Sequence, residues 1–365
     1  MLSPYAENVP VKVLISGYYG FANLGDEAIL EVLTHTLKEA GHQLTVLSAD
    51  SARTQQLYEV NAVHRLQGML PALLQHDVLI AGGGGLLQDA TSRLSLEYYL
   101  TLMRLAKRAK KRVIVYGQSI GPLSRAGERS TVNVLKKDVT IAVRDRRSQR
   151  YLASHGLEAT LTADPALLLE APSFEAQAFE AQVFEAQVFE ARASSEFQHN
   201  AEKPLLIIPR GDKPEIQGAL ERNLASFRQK PAHRDVSIAV MALSPGDQAA
   251  ARALQQQGRN IQLWHADSPE IALRRIAAAK SVLSVRLHGL ILAAAAGVPY
   301  SGIAYDPKVQ AFLDETGARC WHLPEDETAL QVALGQALQV DWSAVDEVKT
   351  RARAGLAWLL DTLAS

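Results

Sequence analysis

Short apolar runs alternate with amphipathic helical patterns along the first half of the chain. The pattern begins with a buried strand at 11–16, a helix at 26–40 closed by Gly41, and a strand at 44–48. Residues 94–110 give the clearest later helical pattern. Further strands are predicted at 78–81, 113–116, 140–143 and 160–162. This alternation is typical of βαβ units built around a parallel sheet.

The pattern breaks at residues 174–191, where Phe-Glu-Ala-Gln followed by Ala or Val repeats. A period of five residues matches neither a helix turn nor a heptad, so the phenylalanines would spiral around a helix and form no single stripe. A recently expanded linker explains such a repeat, and a partner-binding helix is the alternative. The polar residues 194–203 have the composition of a linker end.

A second α/β series follows the repeat. Its strands are predicted at 205–209, 236–241, 261–263, 282–285 and 300–304, with a helical tail at 328–363. The whole pattern predicts an α/β fold with two Rossmann-like domains facing across a cleft. This is a glycosyltransferase-B-like architecture, in which ligands bind between the domains. We assign residues 1–172 to the first domain, 173–203 to the linker, 204–340 to the second domain and 341–365 to a helix that packs back on the first.

Composition narrows the class of protein. The chain has 365 residues, of which 47% are hydrophobic and 21% charged, and its net charge of −1 gives no strong field toward nucleic acid. Its single cysteine, Cys320, excludes an intrachain disulfide framework. Residues 1–10 lack a signal-peptide core, and apolar tracts such as 290–296 are far shorter than the ~20 residues of a membrane helix. We therefore expect a soluble cytoplasmic protein.

The most informative segment is Ser-Val-Arg-Leu-His-Gly at 284–289. It follows an apolar run and precedes a very apolar helical pattern at 290–296, so a strand is predicted to end and a helix to begin at Arg286 and His288. In open α/β sheets, ligands bind at the carboxyl ends of strands. A planar cation and a titratable imidazole suit a small anion that exchanges a proton.

A glycine-rich turn at 17–27 follows the first strand. A dinucleotide site with Asp50 on the ribose is one interpretation, but the spacing is not G-x-G-x-x-G, and carboxylates at the helix start disfavour a pyrophosphate. A neutral polyol fits better, with an aromatic platform and hydroxyl acceptors. The candidate residues are Tyr18, Tyr19, Phe21, Asn23 and Asp26.

Two more glycine-rich junctions follow later strands, at 81–89 and 117–122. Glycines let a ligand or a second backbone approach closely. In the first junction, Gln88 and Asp89 are predicted to point into the cleft. Each junction alone is weak evidence, but together with the turn at 17–27 they favour a shared ligand surface on the first domain.

Cationic side chains also follow several predicted strands. These side chains are Arg144, Arg210, Arg286 and Lys308. A ligand with a phosphate and a carboxylate would occupy about that many donors, although each alone is equally compatible with a surface ion pair. The run 104–112 is strongly basic. A solvated helix face explains the run, and a polybasic patch that meets anionic lipid is the alternative.

These segments together resemble the polysaccharide pyruvyl transferases, in particular the bacterial CsaB type that modifies cell-wall polymer. The matching segments occur in family order and cover both halves. They are GYYGFANLGDEAIL (17–30), AGGGGLLQDATS (81–92), GQSIGPL (117–123), AVRDRRS (142–148), SVRLHGLILAAAAGVP (284–299) and IAYDPKV (303–309). The five-residue repeat is not a feature of the family.

The resemblance implies transfer of a pyruvyl group from phosphoenolpyruvate onto two hydroxyls of one sugar, with release of phosphate. For the CsaB type it implies a β-linked N-acetylmannosamine acceptor on a lipid carrier, ketalised at its 4- and 6-hydroxyls, in a polymer that anchors S-layer proteins. The first domain would then bind the acceptor and the second the donor. The family's signature falls on Arg286, Leu287 and His288, and its donor-binding cations on Arg144 and Lys308.

A mechanism follows for these residues. His288 is the candidate general acid for the methylene of phosphoenolpyruvate, a role typically worth ~10²–10⁴-fold. Arg286 and Lys308, with Arg210 and Arg144, are expected to hold the donor's carboxylate and phosphate. Asp26 or Asp89 is the candidate base for a sugar hydroxyl. We expect no redox cofactor and no dedicated metal site.

Three rival functions remain open from the sequence. A nucleotide-sugar glycosyltransferase has the same two-domain architecture. A nucleotide-binding dehydrogenase is disfavoured by the acidic start of the first helix. A non-enzymatic binding module of the S-layer apparatus would bind glycan without releasing phosphate. As partners we expect phosphoenolpyruvate, a lipid-linked glycan and the inner face of the cell membrane, and no nucleic acid.

Overall fold

The computed structural model describes residues 10–170, 203–230, 233, 236–258, 260–323 and 339–365. The five-residue repeat and all but the last residue of the linker assigned to 173–203 lie outside these residues. Two parallel sheets organise the chain. None of the described helices is long and apolar enough to cross a bilayer.

The first sheet has seven parallel strands in the order β3-β2-β1-β4-β5-β6-β7. The strands are β1 (Lys12–Ser16), β2 (Gln43–Ser48), β3 (Asn61–His64), β4 (Val78–Leu87), β5 (Arg112–Ile120), β6 (Thr140–Val143) and β7 (Thr160–Leu161). The helices between them are α1 (Leu24–Glu39), α2 (Ser51–Tyr58), α3 (Met69–Gln75), α4 (Arg93–Arg108), α5 (Arg125–Leu135) and α6 (Arg146–Ser154). A short 3-10 helix, Pro165–Leu168, follows β7.

The second sheet has six parallel strands in the order β10-β9-β8-β11-β12-β13. The strands are β8 (Leu205–Ile208), β9 (Ile238–Met241), β10 (Ile261–Trp264), β11 (Ser281–Ser284), β12 (Tyr300–Ile303) and β13 (Cys320–Trp321). The helices are α7 (Pro214–Gln229), α8 (Gln248–Gln255), α9 (Pro269–Ala277), α10 (Leu287–Ala295), α11 (Pro307–Glu315) and α12 (Trp342–Ala364).

The sequence predicted that β4 and β5 end before their glycines and lead into glycine-rich junctions. This prediction is wrong. Both strands continue through their glycines, and they pair with each other at Gly84–Gln118 and again at Leu87–Ile120, with an irregular register between the two contacts. The side-chain amide of Gln118 also donates to the carbonyl of Ala81 at 2.9 Å. Pairing with a neighbouring strand therefore outweighs the tendency of glycine to end a strand.

The two halves share one apolar cluster. It contains Val13 of β1, Leu206 of β8, Leu290 of α10 and Leu359 of α12, all fully buried. Further clusters cover the outer face of each sheet. Backbone atoms also join the halves, since the amide of Leu24 donates to the carbonyl of Leu243 at 2.9 Å. The carboxyl ends of both sheets are thereby held against each other.

The last helix, α12, leaves the second half and lies on the first. Arg351 donates through Nε to the carbonyl of Thr162 at 2.9 Å, and Gly355 lies against the same residue. The ring of Trp358 stacks on Tyr116 of β5 with ring centres 6.4 Å apart. The apolar face of α12 therefore completes the cover of the first sheet.

Candidate active site

Four of the sequence-predicted residues lie at the starts of helices where the two sheets meet. Asp26 is in the first turn of α1, His288 in the first turn of α10 and Lys308 in the first turn of α11. Arg144 follows β6 directly. The predicted junction at Arg286 is confirmed, because β11 ends at Ser284 and Arg286 is the N-cap of α10.

Asp164 connects these residues. It precedes the 3-10 helix, and its carboxylate pairs with the guanidinium of Arg144. It also lies 3.5 Å from Nε2 of His288 in the other half. Burial raises the pKa of this carboxyl, but Arg144, His288 and the amide of Ala166 outweigh burial and lower the pKa to about 2. Asp164 is therefore ionised at every physiological pH.

His288 presents a ring nitrogen that lacks a hydrogen-bond partner. Its Nε2 is buried, and none of the described residues satisfies it, since 3.5 Å to Asp164 is long for a hydrogen bond. The other side of the ring packs against Gly25 of α1, where a Cβ would overlap the imidazole. A buried polar atom left in this way is suited to a ligand.

Asp26 of α1 is a buried carboxyl near the histidine. Asn23, the N-cap of α1, donates to its Oδ2 at 2.6 Å. Burial raises the pKa of the Asp26 carboxyl, and the cations His288, Arg144 and Lys308 offset this only in part. A carboxylate with a raised pKa is the type of group that accepts a proton from a hydroxyl.

Lys308 reaches across the boundary from α11. Its Nζ lies 3.6 Å from Oδ2 of Asp306, and a Cβ on Gly85 of β4 would lie 3.6 Å from the same Nζ. Burial lowers the pKa of the Lys308 ammonium, which the charge of Asp306 opposes. Lys308 of the second half therefore lies directly against β4 of the first.

Arg286 is held by a carboxylate on its own side of the cleft. Asp247 is fully buried and accepts from Nε of Arg286 at 2.8 Å and also from Nη2. Ser244 accepts from Nη2 at 3.0 Å and donates to Asp247 at 2.7 Å. The bidentate pair fixes one edge of the guanidinium and leaves the remaining Nη1 for another acceptor.

Arg210 has a carboxylate partner of its own. It donates to both oxygens of Asp212, at 2.5 and 2.8 Å. Its guanidinium carbon lies 4.3 Å from the centre of the Tyr305 ring, and it also donates to the Tyr305 hydroxyl. Each of the four predicted donor cations therefore pairs with an aspartate among the described residues.

The aromatic residues of the turn after β1 divide into two groups. Tyr18 is exposed and stacks on Phe21 with ring centres 4.1 Å apart, and Arg65 lies 5.2 Å from the centre of the Phe21 ring. Tyr19 is only 1% exposed. Its ring belongs to the core and is not available to stack on a sugar, so we remove Tyr19 from the candidate acceptor surface.

Gln88 and Asp89 bond to residues near them on the protein surface. Gln88 bonds to Thr91 through both ends of its amide. Asp89 accepts from the amide and hydroxyl of Ser124 at 2.8 and 2.5 Å, at the start of α5. Burial raises the pKa of the Asp89 carboxyl, but these hydrogen bonds together outweigh burial and lower the pKa. Of the two candidate bases, the geometry favours Asp26.

A cavity of about 380 Å³ lies beside Asp164, between the two halves. Arg144, Lys308 and the candidate donor-binding residue Leu287 line it, together with the apolar side chains of Leu167 and Phe312. Arginines of α6 also contribute to the wall, and they are Arg146, Arg147 and Arg150. The cavity has the size of a small-molecule site. Five cations line it beside four carboxylates, which are Asp145, Asp164, Asp314 and Glu315.

Comparison with known proteins assigns the family. Residues 23–307 match the family model described as polysaccharide pyruvyl transferase. The chain belongs to this family. No curated protein matches its sequence. The match includes the cluster of Asp26, Arg144, Asp164 and His288, so these residues belong to the part of the chain that defines a pyruvyl transferase.

Solved structures show the fold that this chain shares. Alr3699/HepE of Anabaena, in complex with UDP and glucose, is 13% identical with a TM-score of 0.59, over 97% of this chain and 99% of that chain. The UDP-GlcNAc 2-epimerase of Neisseria meningitidis is 12% identical with a TM-score of 0.55, over 94% of each chain. MurG of Acinetobacter baumannii is 14% identical with a TM-score of 0.50, over 97% and 99%. The predicted glycosyltransferase-B-like fold is confirmed.

The sequence pattern predicted Asp26 but missed two other carboxylates of the site. Asp164 and Asp247 are buried and contact His288, Arg144 and Arg286. The aspartates beside Arg210 and Lys308 lie two residues away in the chain, where a local ion pair is a reasonable prediction. For Asp164 and Asp247 no local pattern gives the partner, because the contacts depend on how the strands are ordered.

Proposed function

We propose that this pyruvyl transferase moves the pyruvyl group of phosphoenolpyruvate onto two hydroxyls of one sugar and releases phosphate. The single observation that carries the proposal is the buried, unpartnered Nε2 of His288, which lies 3.5 Å from Asp164 beside a cavity lined by Arg144 and Lys308. The family description supports a polysaccharide as the acceptor class. We further propose the CsaB type of acceptor, a lipid-linked β-N-acetylmannosamine ketalised at its 4- and 6-hydroxyls, in a polymer that anchors S-layer proteins.

The proposed reaction begins with a proton transfer from His288 to the methylene carbon of phosphoenolpyruvate. The neighbouring carbon becomes electrophilic, and one sugar hydroxyl adds to it as Asp26 accepts the hydroxyl proton. Phosphate leaves with the electrons of its carbon–oxygen bond, and the second hydroxyl closes the ketal. One hydroxyl proton ends on the new methyl group by way of the enzyme, and the other leaves with phosphate. The carbons of the donor undergo no net oxidation or reduction, so the proposed reaction needs no redox cofactor.

The cations would hold the donor in this scheme. Arg144 and Lys308 line the cavity, and Arg286 keeps one guanidinium nitrogen for an acceptor beyond Asp247. Positive groups placed where charge develops stabilise a departing phosphate more than a bound ground state. Tyr18 and Phe21 present an exposed stacked pair on the other side of the cleft, which suits the apolar face of a sugar ring.

The test combines the purified chain with phosphoenolpyruvate and a lipid-linked disaccharide that ends in β-N-acetylmannosamine. We expect phosphate release and a gain of the pyruvyl ketal mass on the sugar. His288→Gln should lower the rate by ~10²–10⁴-fold, the usual worth of a general acid. His35→Gln, an exposed histidine of α1, is the matched control and should keep the wild-type rate.

Two results would refute the proposal. One is sugar transfer from a panel of nucleotide sugars with no phosphate release from phosphoenolpyruvate, which would indicate a glycosyltransferase. The other is a wild-type rate in a folded His288→Gln variant, which would remove the histidine from the chemistry.

A further inference from the structure

Four leucines of the first half are strongly exposed. They are Leu66, Leu70, Leu74 and Leu94, with 62%, 50%, 57% and 85% of their surface accessible. A single exposed leucine is ordinary in a folded protein. Several on one face mark an interaction surface, because they keep apolar area in water at a cost in free energy.

The helices α3 and α4 lie on the same face of the first sheet, because Leu73 of α3 and Leu100 of α4 belong to one apolar cluster. The hydroxyl of Tyr98 in α4 donates to the carbonyl of Arg65, the residue before Leu66, at 3.0 Å. Leu94 lies one helical turn before Tyr98, on the same side of α4. At the other end, Nζ of Lys111 donates to the carbonyl of Leu74 at 3.0 Å. Each helix is therefore hydrogen-bonded to a residue that flanks the other.

The end of this face next to Leu74 is basic. Arg108 and Lys110 are exposed there, and Lys111 is fixed to a backbone carbonyl, which accepts a hydrogen bond but carries no opposing charge. The acidic groups nearby are Glu97, which pairs with Arg104 at 3.1 Å, and Asp77. Cations outnumber carboxylates along the basic run that ends α4.

We propose that this α3/α4 face, formed by Leu66, Leu70, Leu74 and Leu94 with Arg108, Lys110 and Lys111, docks on an anionic membrane surface. Leucines beside lysines and arginines match the boundary between acyl chains and charged headgroups, where apolar burial and electrostatic attraction act together. This proposal rests on the proposed function, whose acceptor is carried on a lipid. It places α4 against the bilayer that contains this lipid-linked acceptor.

Vesicle flotation tests this surface with the full chain. Vesicles of phosphatidylcholine alone are compared with vesicles that also contain phosphatidylglycerol. We expect binding to the anionic vesicles that weakens as salt is added. Leu70→Gln with Leu74→Gln should weaken it at least tenfold, and so should Arg108→Gln with Lys110→Gln. Leu57→Gln, an exposed leucine of α2, is the matched control and should bind as the wild type does.

Other outcomes overturn the proposal. Failure of the wild-type chain to bind anionic vesicles, or equal binding by the folded leucine variant, removes the membrane as the occupant. A dimer in light scattering that the leucine variant abolishes, without vesicle binding, makes the face an interface between copies. Pyruvyl transfer to a water-soluble acceptor is measured in parallel and should be unchanged in these variants. Vesicle binding without any turnover of phosphoenolpyruvate would refute the proposed function and leave the membrane surface standing.

Discussion

Gly25 and His288 lie against each other across the boundary between the two sheets. A Cβ on Gly25 would overlap the imidazole ring of His288. The orientation of the candidate acid therefore depends on the absence of a side chain in a helix of the other half.

Gly25→Ala is expected to lower pyruvyl transfer about 10²-fold, because a displacement of ~1 Å at a reacting group costs about that much. Steady-state rates with phosphoenolpyruvate measure the effect. Gly218→Ala in α7, where a Cβ makes only an ordinary contact with Arg222, is the matched control. It should leave the rate unchanged and raise stability by ~0.5–1 kcal/mol. A wild-type rate for Gly25→Ala would show that the imidazole moves aside without consequence.

Asp164→Asn keeps the size of the side chain and removes its charge. We expect transfer to slow at least tenfold, because the imidazole of His288 loses the carboxylate that attracts its protonated form. Arg144 would be buried without a carboxylate, keeping only its hydrogen bond to Ser119, at a cost of ~3–5 kcal/mol in the free energy of unfolding. Denaturant titration and rate measurements on one preparation separate the two effects. Asp361→Asn, on the exposed side of α12, should change neither quantity.

Asp247→Asn tests the support of Arg286. The neutral amide no longer pairs with both guanidinium nitrogens, so the arginine loses its fixed edge. We expect KM for phosphoenolpyruvate to rise about tenfold, as for the loss of one charge-assisted hydrogen bond, with a smaller change in kcat. Asp267→Asn, on the exposed loop after β10, serves as the control. An unchanged KM in a folded Asp247→Asn variant would mean that Arg286 does not need this carboxylate.

Glu31 of α1 predicts a pH dependence of stability. Burial, together with the charges of Glu270 on α9 and of Glu27, raises the pKa of Glu31 from 4.5 to about 7. Well below pH 4.5 the Glu31 carboxyl is protonated in both the folded and the unfolded protein, so it does not lower the free energy of unfolding. As pH rises from 4.5 to about 7 the unfolded state ionises first, so stability falls, by at most ~3 kcal/mol.

Glu31→Gln should remove this penalty. The variant is expected to be more stable than the wild type at pH 8 and about equal to it at pH 4.5, as measured by urea denaturation. Glu39→Gln, at the exposed end of the same helix, should show no such pH-dependent gain. An equal gain at both pH values would assign the effect to packing and not to ionisation.

Much of the fold was predictable because its strands are buried on both faces. Such strands give unbroken apolar runs, as at residues 140–143, where the prediction and β6 coincide. β3 was missed because its sequence, Asn-Ala-Val-His, is short and half polar. The continuation of β4 and β5 through glycines depends on their pairing with each other, which no local pattern contains.

Of the site residues, the sequence could indicate those that directly follow predicted strands. Arg144, His288 and Lys308 follow strands, and the structure brings all three to one boundary. Tyr18 and Tyr19 are adjacent and chemically alike, yet one is exposed and the other buried. Which of two neighbours faces the core depends on the exact end of β1, and propensity fixes that end only to within a residue or two.

The return of α12 to the first sheet has a consequence for synthesis of the protein. Trp358 and Leu359 cover apolar surface of the first half, but the ribosome makes them long after that half has been synthesised. The first sheet therefore emerges with part of its core uncovered and stays so until the second half is complete. A domain whose core is still uncovered exposes apolar surface to other chains and to chaperones. A truncation that removes only α12 would leave the first sheet permanently in this uncovered state.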